Sequence, residues 1–272
     1  MDLNSIKNKL NKLQTQGQKK EKVDYGKFLW KPKAEGKYQI RIVPSKLDAT
    51  NPFREVFIHY GFAKFPIYAL SNWGEKDPIE EFAKQLRQTD DKENWKLSSK
   101  LSPKMRVFAP IIVRGEEDKG VLLWEFGKEI YMQLLSIADD EDYGDYTDIN
   151  EGRDFTVTAV KDTTPQGISF FKCTLQIKPK TSVLSADKTQ IKTWLSEQPD
   201  ILEIQRKSDF ATLKGILQNY LNPEAETEVV EEAEEEETDL PFKVEPVKTP
   251  INSTVKKTSK SKKFDELFED EN

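Results

Sequence analysis

Between residues 106 and 137 the chain reads RVFAPIIVRGEEDKGVLLWEFGKEIYMQLLSI. In the first run, 106–113, Val107, Ala109, Ile111 and Val113 recur at every second position, which predicts a strand with one apolar, core-facing side. Arg106 and Phe108 then fall on its other side. A charged turn, 114–120, leads into a second run, 121–126, where Leu122, Trp124 and Phe126 alternate with Val121, Leu123 and Glu125. A helical pattern follows to residue 137. Two readings of Phe108 and Trp124 stand. On a solvent-facing sheet beside a cation they make a stacking platform for unpaired bases. Covered, they are ordinary core aromatics, where large rings usually go.

The same alternation predicts strands elsewhere. Residues 28–46, FLWKPKAEGKYQIRIVPSK, read as a strand, a turn at 34–36 and a second strand at 37–43. In that second strand Tyr38, Ile40 and Ile42 point inward, and Gln39 and Arg41 outward. A further strand covers 56–60, and the Gly-, Pro- and aromatic-rich stretch 61–77 reads as irregular. Pro78 opens a helix to residue 88 with Ile79, Phe82, Ala83 and Leu86 on one face. Residues 90–103 read as a polar connector containing Trp95, Lys96 and Lys100, with Lys104 just beyond. The acidic segment 138–154 lacks the spacing of a calcium loop and reads as a solvated loop.

A hairpin is predicted for 155–161 and 168–178 around Thr164, Pro165, Gln166 and Gly167. On its return strand Phe171, Cys173, Leu175 and Ile177 share the core face, and Phe170, Lys172, Thr174, Gln176 and Lys178 share the other. Helical patterns occupy 187–195 and 209–220, the second with a cap signal at Ser208 and Asp209. The whole is a mainly β chain with peripheral helices, of α+β class.

Charge divides the chain further. The net charge of −6 conceals a head with nine basic and three acidic residues in the first 33 positions. Residues 224–272 hold 7 basic and 16 acidic residues. These boundaries predict a basic N-terminal arm over 1–22, a folded core over 23–223 and a disordered acidic tail over 224–272. In the arm Leu3, Ile6, Leu10 and Leu13 recur at helical spacing among Lys7, Lys9 and Lys12. A stripe this short needs a docking surface to stay helical, on its own core, a neighbouring copy or, last in order, a membrane. The tail ends in FDELFEDE, where Phe264, Leu267 and Phe268 form an acidic amphipathic plug for a partner's basic groove. The bland alternative is a solubility tail.

Chemistry is sparse. The single cysteine, Cys173, excludes an internal disulfide and suits a reducing cytoplasm. With one histidine, His59, a Cys/His zinc site within the chain is not expected, and neither is a catalytic constellation or a phosphate-cradling glycine loop. The chain reads as no enzyme and carries no run long enough to span a membrane.

The segments 28–46, HYGF at 59–62, VFAPIIV at 107–113, LWEFGKEI at 123–130 and EGRDFTV at 151–157, with the acidic ending FDELFEDEN, together resemble the T-even-type phage single-stranded-DNA-binding proteins. No one of these motifs is diagnostic; their order, spacing and charge layout carry the likeness. The resemblance implies an OB-fold core that binds single-stranded DNA with little sequence preference. It also implies a basic arm that self-associates along the strand, and an acidic tail that recruits replication and recombination proteins. It implies action in DNA replication, recombination and repair in the cytoplasm of the infected bacterial host. The family's stacking aromatics fall on Phe108, Trp124 and Phe171, with Phe170 as the alternative to Phe171. Its phosphate-binding cations fall on Arg41, Lys46, Lys100, Lys104 and Arg106.

Two departures matter. The family's zinc subdomain uses one histidine and three cysteines, but the corresponding segment, 60–88, holds no cysteine. No metal and no cofactor is expected, with Phe62, Phe65, Trp73, Ile79 and Phe82 forming an apolar cluster in its place. Val107 and Ile168 also stand where aromatics are expected, so the groove stacks fewer bases or recruits Phe170, Trp95 or Trp30. The expected function is a cooperative single-stranded-DNA coat protein. The alternative is a non-catalytic docking hub for replication or recombination enzymes, with secondary DNA or RNA contact.

Overall fold

The computed structural model describes residues 27–222, apart from 62, 165, 166 and 168. The arm residues Leu3, Ile6, Lys7, Leu10, Lys12 and Leu13, the tail residues Phe264, Leu267 and Phe268, and Phe62 lie outside the described residues. One mixed sheet of eight strands organises the rest. Its strands are β1 (Leu29–Trp30), β2 (Gly36–Ile42), β3 (Arg54–His59), β4 (Ile67–Tyr68), β5 (Lys104–Val113), β6 (Leu122–Phe126), β7 (Arg153–Thr163) and β8 (Ser169–Thr181). The helices are α1 (Pro78–Arg87), α2 (Lys92–Leu101), α3 (Lys128–Ala138), α4 (Lys188–Ser196), α5 (Ile201–Ile204) and α6 (Phe210–Leu221).

β5 is the hub. One edge pairs with β6 through Val107–Ile111. The other edge takes β3 along Lys104–Phe108 and β2 along Ile111–Val113. β1 adds to β6 in parallel, and every other pairing is antiparallel. The alternation predicted for β5 holds: Val107, Ala109, Ile111 and Val113 enter the main core with Trp30, Ile40, Ile42, Phe155 and Val157. That core closes against α3 through Ile130, Tyr131 and Leu134. Edge-to-face and tilted rings run through it from Trp30 to Trp124, Phe126, Phe53 and Tyr131, a geometry that adds to simple burial.

The opposite face of β5 is covered as well. Phe108 packs with Val56, Ile58 and Leu123 under Ile201, Leu202 and Ile204 of α5. Ile112 packs with Val43, Val121, Leu184 and Trp194 of α4. Two-sided cover explains why every residue of β5 from Val107 onward is buried.

Beside the sheet, α1, α2 and α6 make a separate helical cluster around Leu70, Ile79, Phe82, Ala83, Leu86, Leu101, Leu213 and Leu217. Ile79 and Phe82 enter it as expected. Phe65 is exposed, and Trp73 lies half-buried under the Lys207 ammonium, so neither joins the cluster. The polar connector expected at 90–103 is corrected: it is largely helix α2. Asp91 caps it by accepting the Glu93 N–H, and its inward face carries Asn94 and Ser98 beside Leu101, so no apolar period marked it.

Candidate nucleic-acid interface

The β5 face that carries Phe108 runs out of apolar cover toward the strand's start. At that end Lys104 is exposed and Arg106 is partly so. Arg106 Nε donates to Glu125 Oε1 at 2.8 Å, and Lys31 Nζ approaches Glu125 Oε2 at 3.6 Å. Tyr60 follows the last residue of β3, and Gly61, at φ 88°, turns the chain away in a conformation that suits glycine. α2 ends just before β5, and Lys104 Nζ donates back to the Ser99 carbonyl at 3.1 Å. Tyr220 arrives from the C-terminal end of α6.

These pieces surround a surface cavity of about 470 Å³ lined by Tyr60, Gly61, Ser99, Lys100, Lys104 and Tyr220. Burial pushes the Tyr60 phenol up to about 12, with the Glu125 carboxylate adding to the shift and Arg106 opposing it. Burial also raises the Tyr220 phenol. Both phenols therefore stay neutral near pH 7, beside two lysine side chains. That combination suits a base and its phosphate together.

The structure sorts the residues expected from sequence. Lys100 and Lys104 line the cavity, and Arg106 sits beside it through Tyr60. Lys46 lies elsewhere, in the loop after β2, where its backbone N–H donates to Gln198. Three placements are corrected. Phe108 is 1% and Trp124 2% exposed, so both are core. They also lie on opposite sheet faces, because Phe108 pairs with Glu125 and Trp124 with Ala109. Trp30, at 6% exposed, is core too.

Arg41, read as outward, is fully buried. Its Nε donates to Asp154 Oδ1 at 2.7 Å and its Nη2 to the Ser182 carbonyl at 2.9 Å. Arg114 and Gln39 complete the set on the same carboxylate. The face assignment from alternation was right, but that face is filled by a charge network.

On the hairpin, alternation continues from Ser169 to Ile177 without a bulge, and the register shift lies instead between Arg153 and Phe155. Phe171 therefore keeps the core-side parity and is half-buried, while Phe170 is 36% exposed on the other side. Both pair beyond Ala159, the last residue of β7 that reaches β2. Tyr60 and Tyr220 were not anticipated as site residues. No local pattern links the end of β3 to the end of α6.

The zinc implied by the resemblance requires a donor set this segment lacks, since the one cysteine lies in β8. His59, Asp77 and Glu80 bring donor atoms within 4.8 Å of one another. Those atoms are already engaged. Asp77 accepts N–H groups from Leu70 (2.8 Å), Ile79 (2.9 Å) and Glu80 (3.1 Å), and the Glu80 carboxylate accepts from Ser71 at 2.6 Å. His59 Nδ1 lies 2.9 Å from the Leu101 carbonyl, and its Nε2 lies 3.4 Å from Asp77. Burial disfavours the Asp77 carboxylate, yet hydrogen bonds from His59 and the Leu70 and Glu80 N–H groups hold it below the usual carboxylate range. Among the described residues no buried side-chain nitrogen or oxygen lacks a partner. The set does not fit a thiolate-rich zinc site. It ties β3, α1 and the end of α2 together by hydrogen bonds.

A cavity lined by two tyrosines and two lysines at the open end of a sheet face has the chemistry that a nucleic-acid strand calls for. The family model described as gp32 DNA binding protein like matches residues 34–222. The chain belongs to that family of DNA-binding proteins. No curated protein matches it in a direct comparison.

Proposed function

We propose that the protein coats single-stranded DNA cooperatively and with little sequence preference during phage replication, recombination and repair. The observation that carries this reading is the cavity in which Tyr60 and Tyr220 stand beside Lys100 and Lys104. Neutral phenols and ammoniums favour a strand whose bases are unstacked, and every base offers a π face whatever its identity. The OB-type barrel of such proteins is part of this reading, with β5 as its shared strand.

Titration of a fluorescein-labelled oligo(dT) by anisotropy at two salt concentrations, with duplex DNA as control, tests the reading. Tight, salt-sensitive binding of the single strand alone is expected. Equal binding of duplex, or no binding at low salt, overturns it.

The arm, 1–22, supplies copy-to-copy contacts in this reading, and the acidic tail recruits replication and recombination proteins, in the cytoplasm of the infected host. Deleting residues 1–22 is expected to leave affinity for a short oligonucleotide unchanged and to abolish cooperative filling of poly(dT). Retained cooperativity removes the arm from that role. No metal takes part in this reading. Addition of EDTA is expected to leave the melting temperature unchanged, whereas Asp77→Ala lowers stability by about 3 kcal/mol through loss of the α1 cap and of the acceptor for the buried Leu70 N–H. Chelator-dependent unfolding with stoichiometric zinc overturns the metal-free reading.

A further inference from the structure

We infer that α2 continues the DNA site beyond the cavity, with Trp95 as a stacking platform and Lys92, Lys96 and Lys100 beside the phosphates. This rests on the proposal that the cavity holds single-stranded DNA. Along α2 the buried positions are Asn94, Ser98 and Leu101. The exposed positions Lys92, Trp95, Lys96, Ser99 and Lys100 lie three and four residues apart, so they form one stripe, with exposed Glu93 at its edge. The stripe contains three lysines, against one acidic residue, Glu93, at its edge, so its net charge is positive. Its last two members, Ser99 and Lys100, are themselves lining residues of the cavity. From Lys92 to Lys100 the helix rises about 12 Å, so a strand leaving the cavity meets a lysine at each turn of the helix.

Trp95 is the exception that gives the track its chemistry. Its side chain is 55% exposed, whereas Trp30, Trp124 and Trp194 are buried and Trp73 is half-buried. The ring is not loose. Its Nε1–H donates to the Thr89 carbonyl at 2.7 Å, which satisfies the polar edge and fixes the ring's direction while much of the indole stays in solvent. The helix beneath is locked as well. Ser98 Oγ donates to the Ala83 carbonyl at 2.7 Å, and Asn94 Nδ2 donates to Thr89 Oγ1 at 3.0 Å. A large aromatic held with its donor satisfied and its surface open suits stacking on a base, and the flanking ammoniums suit the backbone.

The experiment uses the full chain and three variants, Trp95→Phe, Trp95→Ala and the double variant Lys92→Ala/Lys96→Ala. Intrinsic tryptophan fluorescence and the anisotropy of labelled oligo(dT) are followed together. Poly(dT) is expected to quench the wild-type emission, and Trp95→Phe to remove most of that quenching with an affinity between those of the wild type and Trp95→Ala. Trp95→Ala is expected to bind about tenfold more weakly, as the loss of one stacked base predicts. The double lysine variant is expected to lower the salt slope by about 1.4, two single-strand phosphate contacts. Unchanged quenching in Trp95→Phe together with wild-type affinity in Trp95→Ala overturns the inference. If cavity variants still weaken binding in that case, the DNA-binding reading survives and only the track along α2 falls. Failure of the wild-type chain to bind oligo(dT) overturns both.

Discussion

Replacing Arg41 with alanine is expected to destabilise the protein by about 3–5 kcal/mol, the usual effect of stranding a buried charge. Arg41 is fully buried, and its guanidinium is divided between Asp154, Ser182 and the Asp148 carbonyl. Asp154 would keep Arg114 and Gln39, but one of its two cations would be gone. A loss of that size is a large fraction of the stability of an ordinary domain. Urea unfolding followed by circular dichroism reads it directly. A midpoint within experimental error of the wild type would show that the network adds nothing.

The pH dependence has a defined sign. Burial disfavours the Asp154 carboxylate, but hydrogen bonds from Arg114 and Gln39 and the charges of Arg114 and Arg41 outweigh it, so its pKa falls below the usual value. A group depressed in the folded state stabilises above its unfolded pKa, about 3.9 for an aspartate, and that contribution drains away as pH falls through the folded value. Asp77 acts in the same direction. Acid titration should therefore destabilise the wild type progressively below about pH 4, and less so in Asp154→Asn.

The second large effect falls on binding. Lys100→Ala/Lys104→Ala is expected to weaken oligo(dT) binding about a hundredfold near physiological salt, two charged hydrogen bonds at about 1.5 kcal/mol each. The slope of log affinity against log salt should fall by about 1.4. Lys100→Arg/Lys104→Arg keeps both charges and should restore that slope. Neither lysine side chain is buried, so the melting temperature should stay near that of the wild type. Wild-type affinity and slope in the alanine variant would remove the cavity from the DNA site.

Alternation along β5 and β6 was legible in the sequence, and so was the pattern of α1. What alternation cannot reveal is which face of a strand is covered. The lid over Phe108 is α5, whose Ile201 and Ile204 come far later in the chain. Register was hidden for the same reason: only the pairing of Ala109 with Trp124 shows that Trp124 and Phe108 face opposite ways. Arg41 looked solvent-facing because its carboxylate partner is 113 residues distant. The cavity was half legible. Lys100 and Lys104 stand four apart at the join of α2 and β5, but Tyr60 and Tyr220 meet them only through the packing of α6 on α1.

β5 carries Lys104 at its first residue, and Arg114, a partner of Asp154, directly follows its last. Ten residues of extended chain separate them by about 30 Å, several times the screening distance of about 8 Å in physiological salt. The strand thus holds two electrostatic systems that do not sense each other. One is exposed and tuned by the ionic strength of the medium; the other is sealed and tuned by its acidity. If Lys100 and Lys104 hold DNA as proposed, salt releases the strand without loosening the fold, while acid loosens the fold through Asp154 at the strand's other end.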